Sequence, residues 1–201
     1  MNNLGNLSLI MALVDFLPVI MFFISAVILQ RDLYDTMSKG RFALLASGSI
    51  LVLIGGIYKA AWKILYALGI CDFTALDVAF FPMQAPGFLL VFLSLLGHKW
   101  RTSGLYAAVP LYTSNLIFII AQVIGLGGTQ FILMIKSLKM HKKNAAVMFV
   151  ISFVAMLGMG YLGAKFDDSS AMNWLAQAVN IVSQLSFLIG VTIIHNQLKK
   201  I

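Results

Sequence analysis

The chain contains no glutamate, one cysteine and few charges of either sign. The missing glutamate removes every motif that requires one, including the HExxH zinc-protease helix and intramembrane proteases built on paired glutamates. A lone cysteine, Cys71, makes no internal disulfide and so carries no message about redox compartment. Charged residues are 10% of 201 positions, where a soluble domain carries about 25%. So few charges cannot coat a globular surface in water, and a disordered chain would need low hydrophobicity. What is abundant is apolar: 61% of residues are hydrophobic and mean hydropathy is +0.95. The solvent is therefore a bilayer, and the fold class is an all-α polytopic membrane protein.

The formal charge of +7 would point to nucleic acid in a soluble protein. Here the basic residues form short clusters between apolar spans, where Lys and Arg hold loops on the cytoplasmic side. No nucleic-acid partner is expected; the partner is the lipid of a cell (inner or plasma) membrane, crossed several times. The first six residues carry no positive charge and no small-residue cleavage site follows, so the first apolar run is expected to be retained as a span.

A crossing helix needs about 20 apolar residues. Leu9–Gln30, Phe42–Gly69, Ala75–Gly97, Ala145–Lys165 and Ala171–Gln197 meet that demand. Between Arg101 and Lys136 one helix would be about 50 Å long, too long for one crossing and short for two. Charge decides. With one crossing there, Arg31, Lys39, Arg41, Lys99 and Arg101 fall opposite Lys136, Lys139, Lys142, Lys143, Lys199 and Lys200, which leaves no bias. With two, all of them share one side, as the positive-inside rule requires. Seven helices are expected, six being the alternative. The N-terminus would lie outside and the C-terminus in the cytoplasm. A short fourth helix would run over Trp100–Leu111, with a turn at Tyr112-Thr113-Ser114-Asn115.

A shift of 103 residues aligns Met37, Lys39, Ala43, Ser49, Gly55, Tyr58 and Ala61 with Met140, Lys142, Ala146, Ser152, Gly158, Tyr161 and Ala164. A shift of 96 sets Asp77 over Asn173 and Gln84 over Asn180. The implied plan is a single transmembrane domain over 1–201 with parallel halves 9–97 and 115–197 and a linker helix over 98–114. In architecture this resembles the 3+1+3 plan of the sugar-facilitator and PQ-loop families. The Pro-Gln dipeptide that defines the latter is absent; Pro82-Met83-Gln84 stands apart from it.

Ionisable groups inside spans are functional candidates by default. Asp15, Lys59 and Lys63 lie at matching depth, and the two lysines share a helix face. Asp15 is expected to pair with one lysine, leaving the other to meet an anion. The plainer alternative is a structural ion pair, or lysines snorkelling beside Trp62 and Tyr66. In the last span Asn173, Gln177, Asn180 and Gln184 recur at helical spacing and point one way. Amides in hydrocarbon need partners, so this face is expected to turn inward, lining a wet cavity or bonding between helices. Asp77 and Gln84 would join it, with Gln122 and Gln130 nearby. Pro82, Pro86 and Gly87 predict a broken third helix, and Gly55, Gly56, Gly125, Gly127, Gly128, Gly158 and Gly160 predict close packing. Before the last span, Ser169 or Ser170 is the expected N-cap.

His98, His141 and His195 fall at helix ends, where solvation outweighs a haem shared by His98 and His195; no cofactor is expected. A retinal protein would need a lysine midway along the last span, and there is none. The pattern favours a transporter or facilitator of a small polar or anionic solute over an enzyme. Its alternatives are a seven-helix sensor or accessory subunit that moves nothing, and a lipid-modifying membrane enzyme. Ser47, Ser49 and Ser152 are the few polar residues in the inner halves of the second and sixth spans, which favours the sensor.

Overall fold

A computed structural model describes residues 8–96, 115–164 and 170–199. Its regular structure is helical throughout: α1 (Leu9–Val14), α2 (Phe16–Leu33), α3 (Lys39–Ala67), α4 (Thr74–Val78), α5 (Phe80–Leu95), α6 (Asn115–Lys139), α7 (Lys143–Ala164) and α8 (Ser170–Leu198). With α1–α2 and α4–α5 each read as one broken rod, six rods remain. Five are long and apolar enough to cross a membrane: Leu9–Leu33, Lys39–Ala67, Thr74–Leu95, Leu116–Lys139 and Ala171–Leu198. The sixth, α7, holds a shorter apolar stretch at Lys143–Met159. The expected spans fall on these rods with ends shifted by a few residues. The expected helix Trp100–Leu111, the Ser169 cap and the acidic pair Asp167 and Asp168 lie outside the described residues.

Proline explains both breaks. A proline has no N–H to donate, and its ring collides with the carbonyl four residues back. α1 stops at Val14, four residues before Pro18, and α4 stops at Val78, four before Pro82. The bend expected near Pro86 and Gly87 therefore lies earlier, at Ala79, and Pro86 sits inside α5.

Ser8 caps α1 by accepting the Met11 N–H at 3.2 Å, and Ser38 caps α3 by accepting that of Arg41 at 3.5 Å. Both α3 and α6 close with a left-handed residue and paired back-bonds. At α3 the residue is Gly69 (φ 67°), with Ile70 N–H donating to Leu65 O. At α6 it is His141 (φ 57°), with Lys142 N–H donating to Ser137 O.

Each rod packs on the next in sequence, and α8 returns to α2, so the ring closes. Contacts fix the directions. Lys63 meets Asp15 while Phe42 meets Tyr34, so α3 runs against α1–α2. Lys59 meets Asp77 while Arg41 bonds to Ser94 O, so α5 runs against α3. Gln122 meets Gln84, Gly125 meets Phe88 and Leu89, and Gly128 meets Phe92, so α6 runs parallel to α5. α7 opposes α6, and α8 opposes α7. Finally Phe187 stacks near Phe22 and His195 meets Asp32, so α8 runs parallel to α2. The bundle thus has an Asp15 end and a His195 end.

Backbones approach most closely at glycine. A Cβ on Gly48 would lie 2.6 Å from Gly87 O, and one on Gly125 would lie 2.6 Å from Leu89 N. Gly55, Gly56, Gly127 and Gly128 are similarly crowded, in line with the packing role expected of them. Gly158 is not: its Cβ would meet only Val179, at 3.6 Å. The His195-end half of the core is apolar, built from Leu29, Leu33, Leu45, Leu133, Phe149 and Val191 among others. Outward faces carry Ile20, Phe23, Val27, Ile120, Ile124, Val150, Val154, Val182, Leu185 and Ile189, all exposed. So wide an apolar exterior suits hydrocarbon, and it fits an integral multi-pass membrane protein.

Candidate functional site

The polar side chains inside the bundle fall into three tiers. The Asp15 end carries the charges. Asp15 sits at the α1–α2 break, 8% exposed, and Lys63 of α3 forms an ion pair with it. Lys59, one turn before Lys63, forms its own ion pair with Asp77 of α4, and its ammonium lies 5.1 Å from the Trp62 ring centre and 5.7 Å from that of Phe80. Trp62 Nε1 donates to Asp72 Oδ1 at 3.0 Å. Pairing of Asp15 with one lysine is as expected. The other lysine is not left free, because the α4–α5 rod runs back along α3 and sets Asp77 beside Lys59. Both lysines are thus engaged by carboxylates.

The middle tier is made of amides. Gln84 of α5 accepts from Gln122 Nε2 at 3.2 Å and donates to Val52 O at 3.4 Å. Gln130 Nε2 donates to Ser152 Oγ at 2.6 Å, and Ser183 Oγ donates to Ser152 O at 3.0 Å, tying α6, α7 and α8 together. On α8 the expected stripe faces the bundle: Gln177 is buried, and Asn173, Asn180 and Gln184 are half-buried. Trp174, Leu175, Val182 and Leu185 occupy the opposite, exposed face. Three amide atoms have no hydrogen-bond partner among the described residues: Gln130 Oε1, Gln177 Nε2 and Gln184 Oε1. A buried amide without a partner costs about 1–3 kcal/mol, so these atoms hold unused bonding capacity in the interior.

Below Gln84 and Gln122 the rings of Phe22, Phe88 and Phe187 close the middle of the bundle, with Thr129 lining the same void. The void among them and their neighbours, Leu29, Leu45 and Leu126 included, is about 10 Å³. That is room for one water at most, and its lining is nearly all apolar. At the His195 end, His195 Nδ1 lies 2.7 Å from Asp32 Oδ1, linking α8 to α2. The sequence marked His195 as an interfacial group; its carboxylate partner, far away in sequence, was not foreseen. The same holds for Trp62 with Asp72 and for Gln130 with Ser152. Among the described residues no three His, Cys or Asp side chains converge as metal ligands would.

Comparison with protein-family models, with characterised proteins and with solved structures finds no match to this chain.

Proposed function

We propose that the chain is a membrane facilitator or transporter of a small, neutral, polar solute, built from two parallel three-helix halves. The observation that carries this reading is the parallel course of α5 and α6. Leu95 ends α5 at the His195 end and Asn115 begins α6 at the Asp15 end, an arrangement that supports a seventh crossing between them as part of this proposal.

The directions of α1–α2, α3 and α4–α5 recur in α6, α7 and α8, as in transporters made of parallel repeats. Under the proposed repeat the 103- and 96-residue shifts carry Gly48 and Gly87 to Ile151 and Ser183, so the Gly48–Gly87 contact of α3 with α5 falls one residue from the Ser152–Ser183 contact of α7 with α8. The two parallel seams, α5 with α6 and α8 with α2, correspond under the same shifts. Eight basic residues, Arg31, Lys39, Arg41, Lys136, Lys139, Lys142, Lys143 and Lys199, lie at the His195 end. Among the described residues those at the Asp15 end, Lys59 and Lys63, are neutralised by carboxylates. Under the positive-inside rule this distribution supports a cytoplasmic His195 end and an outside N-terminus.

With both lysines matched, the free bonding groups facing the interior are amides, which favour hydroxyl- or amide-bearing solutes over anions. Gln177 and Gln184 would hold the solute, with Asn173, Asn180, Asp77 and Gln84 beside them. The Phe22, Phe88 and Phe187 rings would be the barrier it crosses when the halves rock along their parallel seams. Uptake of polyols, amides and anions by vesicles holding the purified protein tests this. Neutral solutes should enter faster than anions, Gln177→Leu should slow them, and Phe88→Ala should raise the leak. Uptake no faster than by empty vesicles across all classes would contradict transport. It would leave the second reading, a binding or sensing subunit, which the apolar His195-end core supports.

A further inference from the structure

The described carboxylates are matched with one exception. Asp15 and Asp77 pair with lysines, Asp72 accepts from Trp62, and Asp32 faces His195. Asp35, exposed in the turn after α2, has no partner. One helical turn earlier Arg31 is exposed and equally unpaired, and no ion pair joins the two although that spacing allows one. Between them opens a groove of about 480 Å³ lined by Val27, Gln30, Arg31, Tyr34, Asp35 and Phe42. Tyr34 and Phe42 form its aromatic wall, their rings edge to face with centres 5.0 Å apart. From Arg31 towards the middle of the bundle, Val27, Ile24, Phe23 and Ile20 make an unbroken exposed apolar track on the same face of α2.

We infer that this groove binds a zwitterionic aminophospholipid, phosphatidylethanolamine by chemistry. Each part of the groove matches one part of that lipid. The Arg31 guanidinium receives the phosphate, as arginine does wherever planar paired donors meet phosphate. The Asp35 carboxylate accepts hydrogen bonds from the primary ammonium, at the distance one helical turn sets. The acyl chains lie along Val27, Ile24 and Ile20. An anionic headgroup such as phosphoglycerol would satisfy Arg31 and be repelled by Asp35. A quaternary ammonium would bring charge to Asp35 but no N–H to donate. The site is independent of the transport reading, since it lies on the lipid-facing side of α2.

The test uses the purified full chain in detergent, with phosphatidylethanolamine, phosphatidylcholine and phosphatidylglycerol of identical acyl chains. Melting temperature and lipid retained in native mass spectrometry are the readouts. Phosphatidylethanolamine should bind most tightly. Asp35→Asn should weaken it about tenfold, the scale of one charge-assisted hydrogen bond, and bring it level with phosphatidylcholine. Arg31→Gln should weaken all three. Glycerophosphoethanolamine, which has no chains, should give no shift, which separates a lipid from a free headgroup. Equal binding of the ethanolamine and choline lipids by the wild-type chain, tighter binding of the glycerol lipid, or an unchanged ranking in Asp35→Asn would each overturn the assignment. The wild-type ranking decides even if a variant fails to fold.

Discussion

Helices α3 and α5 cross with Gly48 against Gly87, so close that a Cβ on either would strike backbone, whereas α7 and α8 meet through the hydroxyls of Ser152 and Ser183. Beside the first pair, α4 adds an ion pair between Asp77 and Lys59 of α3; among the described residues no ion pair joins α7 to α8. Lipid tails offer helices no hydrophobic reason to associate. Cohesion has to come from backbone proximity or from polar bonds, and the two pairs weight them differently. The difference teaches that bulk is least tolerated where Gly48 meets Gly87, and lost polarity where Ser152 meets Ser183.

Substitutions sharpen that contrast. The largest effect should come from Lys63→Met, which strands the buried Asp15 carboxylate at a cost of about 3–5 kcal/mol. Asp15→Asn made together with it should recover much of the loss in thermal unfolding. Lys59→Met should cost less than about 1 kcal/mol, since that pair is about one-third exposed and solvent-screened. Next is Gly48→Ala. It has nowhere to put its methyl and should destabilise by about 1–3 kcal/mol. Gly158→Ala should be neutral or slightly stabilising, because its Cβ meets Val179 at an ordinary contact distance of 3.6 Å and alanine favours a helix. Equal losses at the two glycines would erase the distinction between the pairs. Ser152→Ala should then cost about 0.6–1.7 kcal/mol, the range of hydrogen bonds between membrane helices. Smallest is His141→Gly. It relieves a left-handed non-glycine residue and should raise stability by at most about 1 kcal/mol, while Gly69→Ala should lower it.

Much of the fold was legible in the sequence because a bilayer imposes length and hydropathy on every span. The six described rods fall where apolar runs predict them, and the amide face of α8 points inward because helical periodicity leaves it no alternative. The pairing of Asp15 with a lysine followed from matched depth. What stayed illegible depended on contacts between distant segments. Asp77 reaches Lys59 because the α4–α5 rod packs antiparallel on α3; depth alone could not say which lysine Asp15 would take, or that both would be taken. Pro18 breaks the first rod by its ring's collision with the carbonyl four residues back, yet an 18-residue hydropathy average passes over it. His195 finds Asp32 only because α8 returns beside α2, a closure that no local pattern encodes.

The arrangement of two parallel halves stands on the direction of α6, and sidedness measures it directly. Cys71, exposed in the turn after α3, is a built-in marker for the Asp15 end. Cysteines placed at Ser114 and, separately, Lys139 in oriented membranes should divide: Ser114→Cys should react with an impermeant maleimide from the same side as Cys71, and Lys139→Cys only from the other. Modification of Ser114→Cys and Lys139→Cys from one common side would contradict the parallel course of α5 and α6, and with it the seven-crossing account.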